Sequence, residues 1–368
     1  MRVAIVGSGG IARIHARLVR ELGGEVAAVC GRTLDGARSL GVGTPFDDLT
    51  AMLTTIRPDV VHVCTPNHLH AEQTIAALAT GAHVLCEKPL ATNSGDGRRM
   101  VEAATAAGRV GAVAYCYRGY PLLRALRRDV AAGRFGRLRR IGGVYLSQDV
   151  FAADKYQWHF SPGTVGSSYA LMDYGVHWLD LAEFVTGRRI VAVTAQLSTH
   201  QGRRVWRGGA GQGPRPPGEE QVDGGAAVHF KLEDQADLLL RFEGGAAGAL
   251  TVSAVSPGHP NHIALSVDGD LAGFDWQQER PNTCLERRPG AITVRQRDPD
   301  AMDPADRWSA GTPAGHPEGY LDAFRNVIAE SWQAMGGEAV SYPSFADGLR
   351  GVELVERALA SAAWERQT

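Results

Sequence analysis

The hydrophobic pattern in the first third of the chain switches repeatedly between two periods. Arg2–Val6 is a short apolar run, a Gly-rich turn follows, and Ile11–Leu22 repeats with helical spacing. Val26–Cys30, Asp59–Thr65, Ala82–Cys86 and Val110–Tyr115 are further apolar runs of strand length. Between them His70–Ala79 and Ser94–Ala107 read as helices stopped by Gly81 and Gly108. Strands alternating with helices across short Gly, Pro or Asn turns predict a parallel, doubly wound sheet.

Beyond residue 118 the pattern changes. Leu122–Ala132 reads as a helix and Leu138–Gln148 as a strand. Residues 166–187 contain a helix that is apolar on nearly all sides. From Ile190 to Val294 the chain reads mainly as strands separated by hairpin-like Gly turns, which predicts an antiparallel sheet. Two helices follow, near Tyr320–Met335 and Phe345–Trp364. Residues 202–220, rich in Gly, Pro and charge, read as a flexible loop between strands. The expectation is an α/β domain over 1–118 and an α+β domain over 119–368, the latter with a large open, mostly antiparallel sheet.

Length supports two domains, since 368 residues exceed a single core. Apolar content of 44% and charged content of 21% are ordinary, and a net charge of −2 gives no reason to expect nucleic acid or an anionic membrane as partner. No apolar run approaches the ~20 residues needed to span a bilayer, and the N-terminus reads as a strand rather than a signal peptide. Of the five cysteines, Cys30, Cys64, Cys86, Cys116 and Cys284, none forms a CxxC pair and four sit in strand-like runs as small hydrophobes. Neither a metal site nor a disulfide framework is expected, and the protein is expected to be reduced and cytoplasmic.

The first turn carries chemistry. Gly7-Ser8-Gly9-Gly10-Ile11-Ala12 fits GxGxxG/A between a strand and a helix. Gly7 permits the tight turn, Gly9 lets a pyrophosphate approach the backbone, and Ala12 keeps the helix close to the sheet. The helix N-terminus offers free N–H groups to the phosphates. A Rossmann-type NAD(P) site is therefore expected. The second strand ends in Cys30-Gly31-Arg32-Thr33, with no acid to hold ribose hydroxyls until Asp35. Arg32 suits a 2′-phosphate, although stacking on adenine serves NAD equally; the balance is a slight preference for NADP. Thr65-Pro66-Asn67 with His70, and Glu87-Lys88, each follow a predicted parallel strand, where ligands of open α/β sheets bind.

These segments together resemble the glucose–fructose oxidoreductase / inositol dehydrogenase / rhizopine-catabolism (Gfo/Idh/MocA) family. The resemblance extends through Tyr117-Arg118, Met172-Asp173-Tyr174-Gly175-Val176-His177 with Asp180, and Gly315-His316-Pro317-Glu318-Gly319-Tyr320. It implies a Rossmann domain, an α+β domain whose open sheet often supports a homo-oligomer (dimer or tetramer), and Lys88 as the catalytic lysine with Asp173 and His177 as partners. The spacing is sensible by itself: residues four apart on a helix share a face, and a carboxylate, an imidazole and a lysine form a proton-transfer group. His177 is the natural base for a hydroxyl, Lys88 would stabilise alkoxide character at the same oxygen, and Asp173 would orient His177 or bind a neighbouring hydroxyl.

Each of these residues alone has a structural reading, as a core histidine, a surface lysine or a helix cap. Their conjunction at family spacing favours catalysis. Asp154-Lys155-Tyr156-Gln157-Trp158-His159 resembles the family's aromatic-plus-basic substrate segment, with Trp158-His159 where many relatives have Trp-Arg. Trp158 suits sugar stacking or a core position about equally, and Tyr117, Arg118, Gln148, His159 and His316 are further substrate-site candidates. The expected activity is oxidation of a secondary hydroxyl, or reduction of the keto group, on a sugar, glycoside, sugar derivative or cyclitol. Two other readings stand beside it: a bound cofactor used transiently in a net non-redox or sugar–sugar reaction, and a non-catalytic dinucleotide-binding regulator.

Overall fold

The computed structural model describes residues 1–152, 156–160, 163–208 and 220–362. Two compact units emerge. The first comprises Met1–Gly119 and Tyr320–Val352, and the second Tyr120–Gly319 with the chain from Glu353. A split into 1–118 and 119–368 does not anticipate the return of residues 320–352 to the first unit.

In the first unit the strands are β1 (Arg2–Val6), β2 (Glu25–Cys30), β3 (Thr44–Phe46), β4 (Val60–Val63), β5 (His83–Cys86) and β6 (Gly111–Val113). The helices between them are α1 (Gly10–Glu21), α2 (Leu34–Arg38), α3 (Leu49–Ile56), α4 (His70–Ala79) and α5 (Ser94–Ala107). The strands form one parallel sheet in the order β3-β2-β1-β4-β5-β6. Every residue of β4 is buried, as expected for strands covered on both faces. The helices start where the sequence offers caps: Thr33 accepts from Gly36 N, Asp48 from Ala51 N and Asn93 from Asp96 N. Gly108, at φ 60°, ends α5. β1 lines up its carboxyl end with those of β2, β4 and β5, so the turns after all four open on one edge.

The second unit contains α6 (Pro121–Ala131), β7 (Leu138–Leu146) and α7 (Val176–Thr186), then β8 (Ile190–Ser198), β9 (Arg203–Trp206), β10 (Glu220–Val222) and β11 (Gly225–His229). It continues through β12 (Gln235–Phe242), β13 (Ala247–Ser253), β14 (His262–Gly269), β15 (Gly273–Gln277), β16 (Thr283–Arg288) and β17 (Ala291–Gln296). Helices α8 (Tyr320–Met335) and α9 (Phe345–Ser361) follow in the chain, α8 and the start of α9 belonging to the first unit. Eight strands form a sheet in the order β17-β16-β15-β14-β7-β13-β12-β8, antiparallel except for the β13–β7 pair. Strand β12 alternates strictly: Ala236, Leu238, Leu240 and Phe242 are buried while Leu239 is 64% exposed. Gly143 on β7 is required by close approach: a Cβ there would overlap Ala264 O and the Trp178 indole, whose Nε1 donates to that carbonyl at 2.8 Å. Helix α7 is thereby fixed to the sheet.

Two expectations change. The loop expected at 202–220 contains β9, which joins β10 and β11 in a three-stranded sheet; 209–219 lie outside the described residues. Composition misled because Arg204 on β9 is fully buried, donating to Val150 O at 2.9 Å and Ala152 O at 3.1 Å with its guanidinium over Phe160. The helix expected within 166–187 is likewise two structures, a π-helical turn over Leu171–Gly175 leading into α7.

Candidate active site

The first unit gathers the expected cofactor residues on one edge. Gly7 follows β1, Gly31 follows β2, Thr65 follows β4 and Glu87 follows β5. Gly7 has φ 117°, and a Cβ there would overlap the carbonyl of Cys64. Its amide donates to Cys30 O at 2.8 Å. No residue but glycine suits that position. Gly9, the N-cap of α1, and Gly10 differ: a Cβ on either would meet nothing within 4 Å. No side chain caps α1, its first turn holds no acid, and Gly9 and Gly10 are exposed, so the start of the helix is open to an anion. A cradle that a Cβ would fill, at an uncapped helix N-terminus, fits a dinucleotide pyrophosphate. Ser8 Oγ lies close enough to Gly36 that a Cβ on Gly36 would crowd it at 3.2 Å.

At the end of β2, Arg32 is exposed. Asp35 is engaged with Arg38 at 3.0 Å. The sequence reading missed two other acids. Burial and then the charges of Asp48 and Asp47 push the Cys30 thiol up to about 11, so both carboxylates stand near the end of β2. They follow β3, whose Phe46 pairs with Cys30, and only knowledge of that pairing brings them there.

The Thr65 and Glu87 turns are tied together. His70, fully buried, sets Nδ1 2.9 Å from Pro89 O and Nε2 2.9 Å from Thr65 O. Burial lowers its pKa against the opposing pull of these carbonyls. Thr65 Oγ1 donates to Gln73 at 2.5 Å, and Pro66 O accepts from Leu69 N, closing a turn that holds Asn67 buried. Glu87 points inward: Oε1 accepts from His15 Nε2 at 2.9 Å and Oε2 from the Lys88 amide at 3.1 Å. Lys88, half-buried, follows at the mouth of the edge, and its peptide bond to Pro89 is cis. Tyr117 and Arg118 lie on a 3₁₀ turn, Cys116–Gly119, and both are buried.

The second unit holds Asp173 and His177. Asp173 is the least buried residue of the π-turn, and π-bulges recur where a helix must present a functional side chain. The turn is anchored at its start by Glu233, which accepts from Ser168 Oγ (2.5 Å), Tyr169 N (3.1 Å) and Leu171 N (3.1 Å). Burial raises the Glu233 pKa, while these donors resist. Around the turn stand residues that the sequence reading did not select. Tyr145 packs edge-on against Tyr174 (centroids 5.2 Å apart) and lies 6.2 Å from the His177 ring. Tyr174 OH lies 3.5 Å from both Asp149 Oδ2 and Tyr169 OH. Burial, then the charges of Asp173 and Asp149, drive the Tyr174 hydroxyl well above its ordinary range. Tyr174 was available in the motif itself; Tyr145 and Asp149 become visible only once β7 is seen to run beside α7.

Among the remaining candidates, Trp158 stacks on His159 with centroids 3.8 Å apart, and Gln148 accepts from Gly258 N. Asp154 and Lys155 lie outside the described residues. His316 is exposed, and its backbone carbonyl accepts from Arg297 at 2.6 Å. All five cysteines are buried and unpaired with one another. Among the described residues no His, Cys, Asp and Glu cluster could hold a metal, and no helix is long and apolar enough to cross a membrane.

Residues 1–115 match the family model described as an oxidoreductase family with an NAD-binding Rossmann fold, and residues 123–274 match that of the GFO/IDH/MocA C-terminal domain. The chain is 30% identical to a levoglucosan dehydrogenase of Pseudarthrobacter phenanthrenivorans, over 94% of this chain and 87% of the relative. It is 29% identical to a 1,5-anhydro-D-fructose reductase of Ensifer adhaerens, over 96% and 95%. An inositol dehydrogenase homolog from Azotobacter vinelandii, solved with NAD+, superimposes with a TM-score of 0.84 at 28% identity, covering 98% of this chain and 95% of that one. With both domains matched and such relatives aligned over nearly their whole lengths, the chain belongs to the Gfo/Idh/MocA family of NAD-dependent oxidoreductases.

Proposed function

We propose that the protein interconverts a secondary hydroxyl and a ketone on a neutral carbohydrate or cyclitol, with Lys88, Asp173 and His177 as the proton-transfer group. The observation that carries this reading is Lys88. The chain has 38 basic residues, of which only Lys88, Lys155 and Lys231 are lysine. Nearly every other positive charge is an arginine, a planar delocalised fork, whereas lysine is a compact point charge on a flexible stem. A lysine at this position, anchored through its own amide on the edge that carries the dinucleotide cradle, suits a compact cation that donates to a developing alkoxide.

His177 accepts the proton of the substrate hydroxyl, and Lys88 donates a hydrogen bond to the same oxygen as alkoxide character develops. Asp173 orients the imidazole or holds an adjacent hydroxyl. A nicotinamide cofactor held at the Gly7–Ala12 turn would supply the hydride acceptor for the carbon that bears the hydroxyl. Trp158 offers an apolar face to sugar C–H groups, with Gln148 and His159 as polar neighbours. The relatives named above are a levoglucosan dehydrogenase and a 1,5-anhydro-D-fructose reductase, and the solved structure named above is an inositol dehydrogenase homolog, so uncharged polyols are the class to try first. Arg32 gives NADP a slight advantage over NAD. The protein assembles as a homo-oligomer through the eight-stranded sheet, where Val191, Leu239, Ile292 and Val294 are exposed; sedimentation tests this, and a monomer at all concentrations would refute it.

The function is tested by following nicotinamide absorbance with a panel of anhydrosugars, glucosides and inositols. Substrate-dependent reduction of the cofactor is the expected result. Cofactor binding without turnover on any member in either direction would overturn it.

A further inference from the structure

Behind Lys88 lies a chain of buried polar groups that the proposed chemistry does not use. His15 comes from α1, His62 from β4 and Glu87 from the turn after β5. Their exposures are 0%, 0% and 8%. His15 Nε2 lies 2.9 Å from Glu87 Oε1, and His15 Nδ1 lies 2.9 Å from His62 Nδ1. The other oxygen of Glu87 accepts the amide of Lys88. Phe324 closes the cluster, its ring edge-on to His15 at 4.9 Å.

With Glu87 ionised and both imidazoles neutral, the hydrogen bonds run in one direction. An ionised Glu87 accepts and does not donate, so the Nε2 of His15 carries a proton. A neutral His15 then has an acceptor at Nδ1, and His62 must donate to it from its own Nδ1. The last atom, His62 Nε2, is left as an acceptor with no partner among the described residues. Two imidazoles thus spend their donors toward Glu87 and none elsewhere. Buried polar groups cost stability unless fully bonded, and two histidines in the centre of a sheet-and-helix core, where apolar side chains would pack equally well, call for a function.

We propose that His15 and His62 are positioning residues, a relay that acts through Glu87 to hold the Lys88 backbone and so aim its ammonium. This rests on the reading of Lys88 as catalytic. Displacements of about 1 Å in such a group cost on the order of a hundredfold in rate.

The three lysines make the test direct. Protein labelled only with [15N]lysine has three backbone amide signals, and the one missing in Lys88→Arg is Lys88. His15→Gln keeps a donor where Nε2 stood; His15→Asn does not, and His62→Leu removes the far end of the relay. In His15→Asn the Lys88 amide is expected to move upfield and exchange roughly five- to tenfold faster, with Lys155 and Lys231 unmoved. Turnover of the best substrate of the panel should fall about 10- to 100-fold while cofactor affinity stays within about threefold. His15→Gln should restore most of both, and His62→Leu should give an intermediate loss. An unmoved Lys88 amide in folded His15→Asn, or a moved amide with turnover unchanged, would overturn the relay. Undiminished turnover in Lys88→Ala would instead remove the functional reading, and is distinguishable because the amide signals report the relay without any substrate.

Discussion

Arg118 Nη1 lies 3.4 Å from Asp347 Oδ2, an ion pair between side chains 229 positions apart within one compact unit. Asp347 also accepts from Ser344 N and Ser344 Oγ, both at 2.9 Å. Burial works to raise its carboxyl pKa, but the charge of Arg118 and the Ser344 donors outweigh it and hold the group below its ordinary range. A depressed carboxylate stabilises the fold above its unfolded value of about 3.9, and that contribution disappears as pH falls through the folded value. Arg118→Met should therefore cost about 3 kcal/mol at neutral pH, at the low end for a broken buried pair because Asp347 keeps some solvent contact. The gap between wild type and variant should narrow below about pH 4. Denaturant unfolding at several pH values checks this; a gap unchanged down to acid pH would contradict it.

Gly7 and Gly9 should separate under the same substitution. Gly7→Ala forces a Cβ against Cys64 O at a φ of 117°, so the fold itself should lose about 2–4 kcal/mol. Gly9→Ala meets nothing in the protein, so melting without cofactor should move by no more than the equivalent of ~0.5 kcal/mol. Its binding of NADH, followed by fluorescence, should nevertheless weaken at least about tenfold, because the methyl occupies the space left for the pyrophosphate. Equal affinity in Gly9→Ala and wild type would show that the open space is not the phosphate site.

Glu233 is the counterpart on the other unit. Glu233→Ala removes the acceptor for Ser168, Tyr169 and Leu171 at the entrance of the π-turn. Stability should fall by about 2–3 kcal/mol from the donors left buried, and turnover should fall more than cofactor affinity, since the loosened turn carries Asp173. Glu233→Gln, which keeps one acceptor oxygen, should recover part of both. Circular dichroism melts and steady-state kinetics read the two effects; a variant with lowered melting and unaltered kcat would show that Asp173 needs no such anchor.

Arg32 is tested by comparing NADH and NADPH affinities before and after Arg32→Ala. The expected result is a selective loss for NADPH of about tenfold or less, the scale of an exposed charge–phosphate contact. Unchanged affinities for both cofactors in Arg32→Ala would remove the reason for favouring NADP.

The alternation of short apolar runs with helical spacing made the parallel sheet legible, because period and punctuation are local properties. The Gly7–Ala12 turn was legible for the same reason. What escaped depends on pairings made late in the chain. Arg118 stood among the substrate-site candidates because nothing local shows that Asp347 reaches it. Residues 202–220 resembled a solvent loop because composition cannot reveal that Arg204 is buried against Val150 and Ala152. The π-turn around Asp173 was hidden since its hydrogen-bond register leaves no mark on a uniformly apolar segment. Glu87, read as facing cofactor, turns inward to His15, a contact set by the order of β1, β4 and β5.

The most direct test of the whole account compares wild type, Lys88→Ala and His177→Ala by nicotinamide absorbance, at saturating cofactor, on the sugar or cyclitol that wild type turns over fastest. Each variant should bind cofactor with little change yet lose at least about 10²-fold in turnover, the share ordinarily supplied by a positioned acid–base group. Wild-type turnover persisting in both would contradict the assignment of Lys88 and His177 as the proton-transfer group.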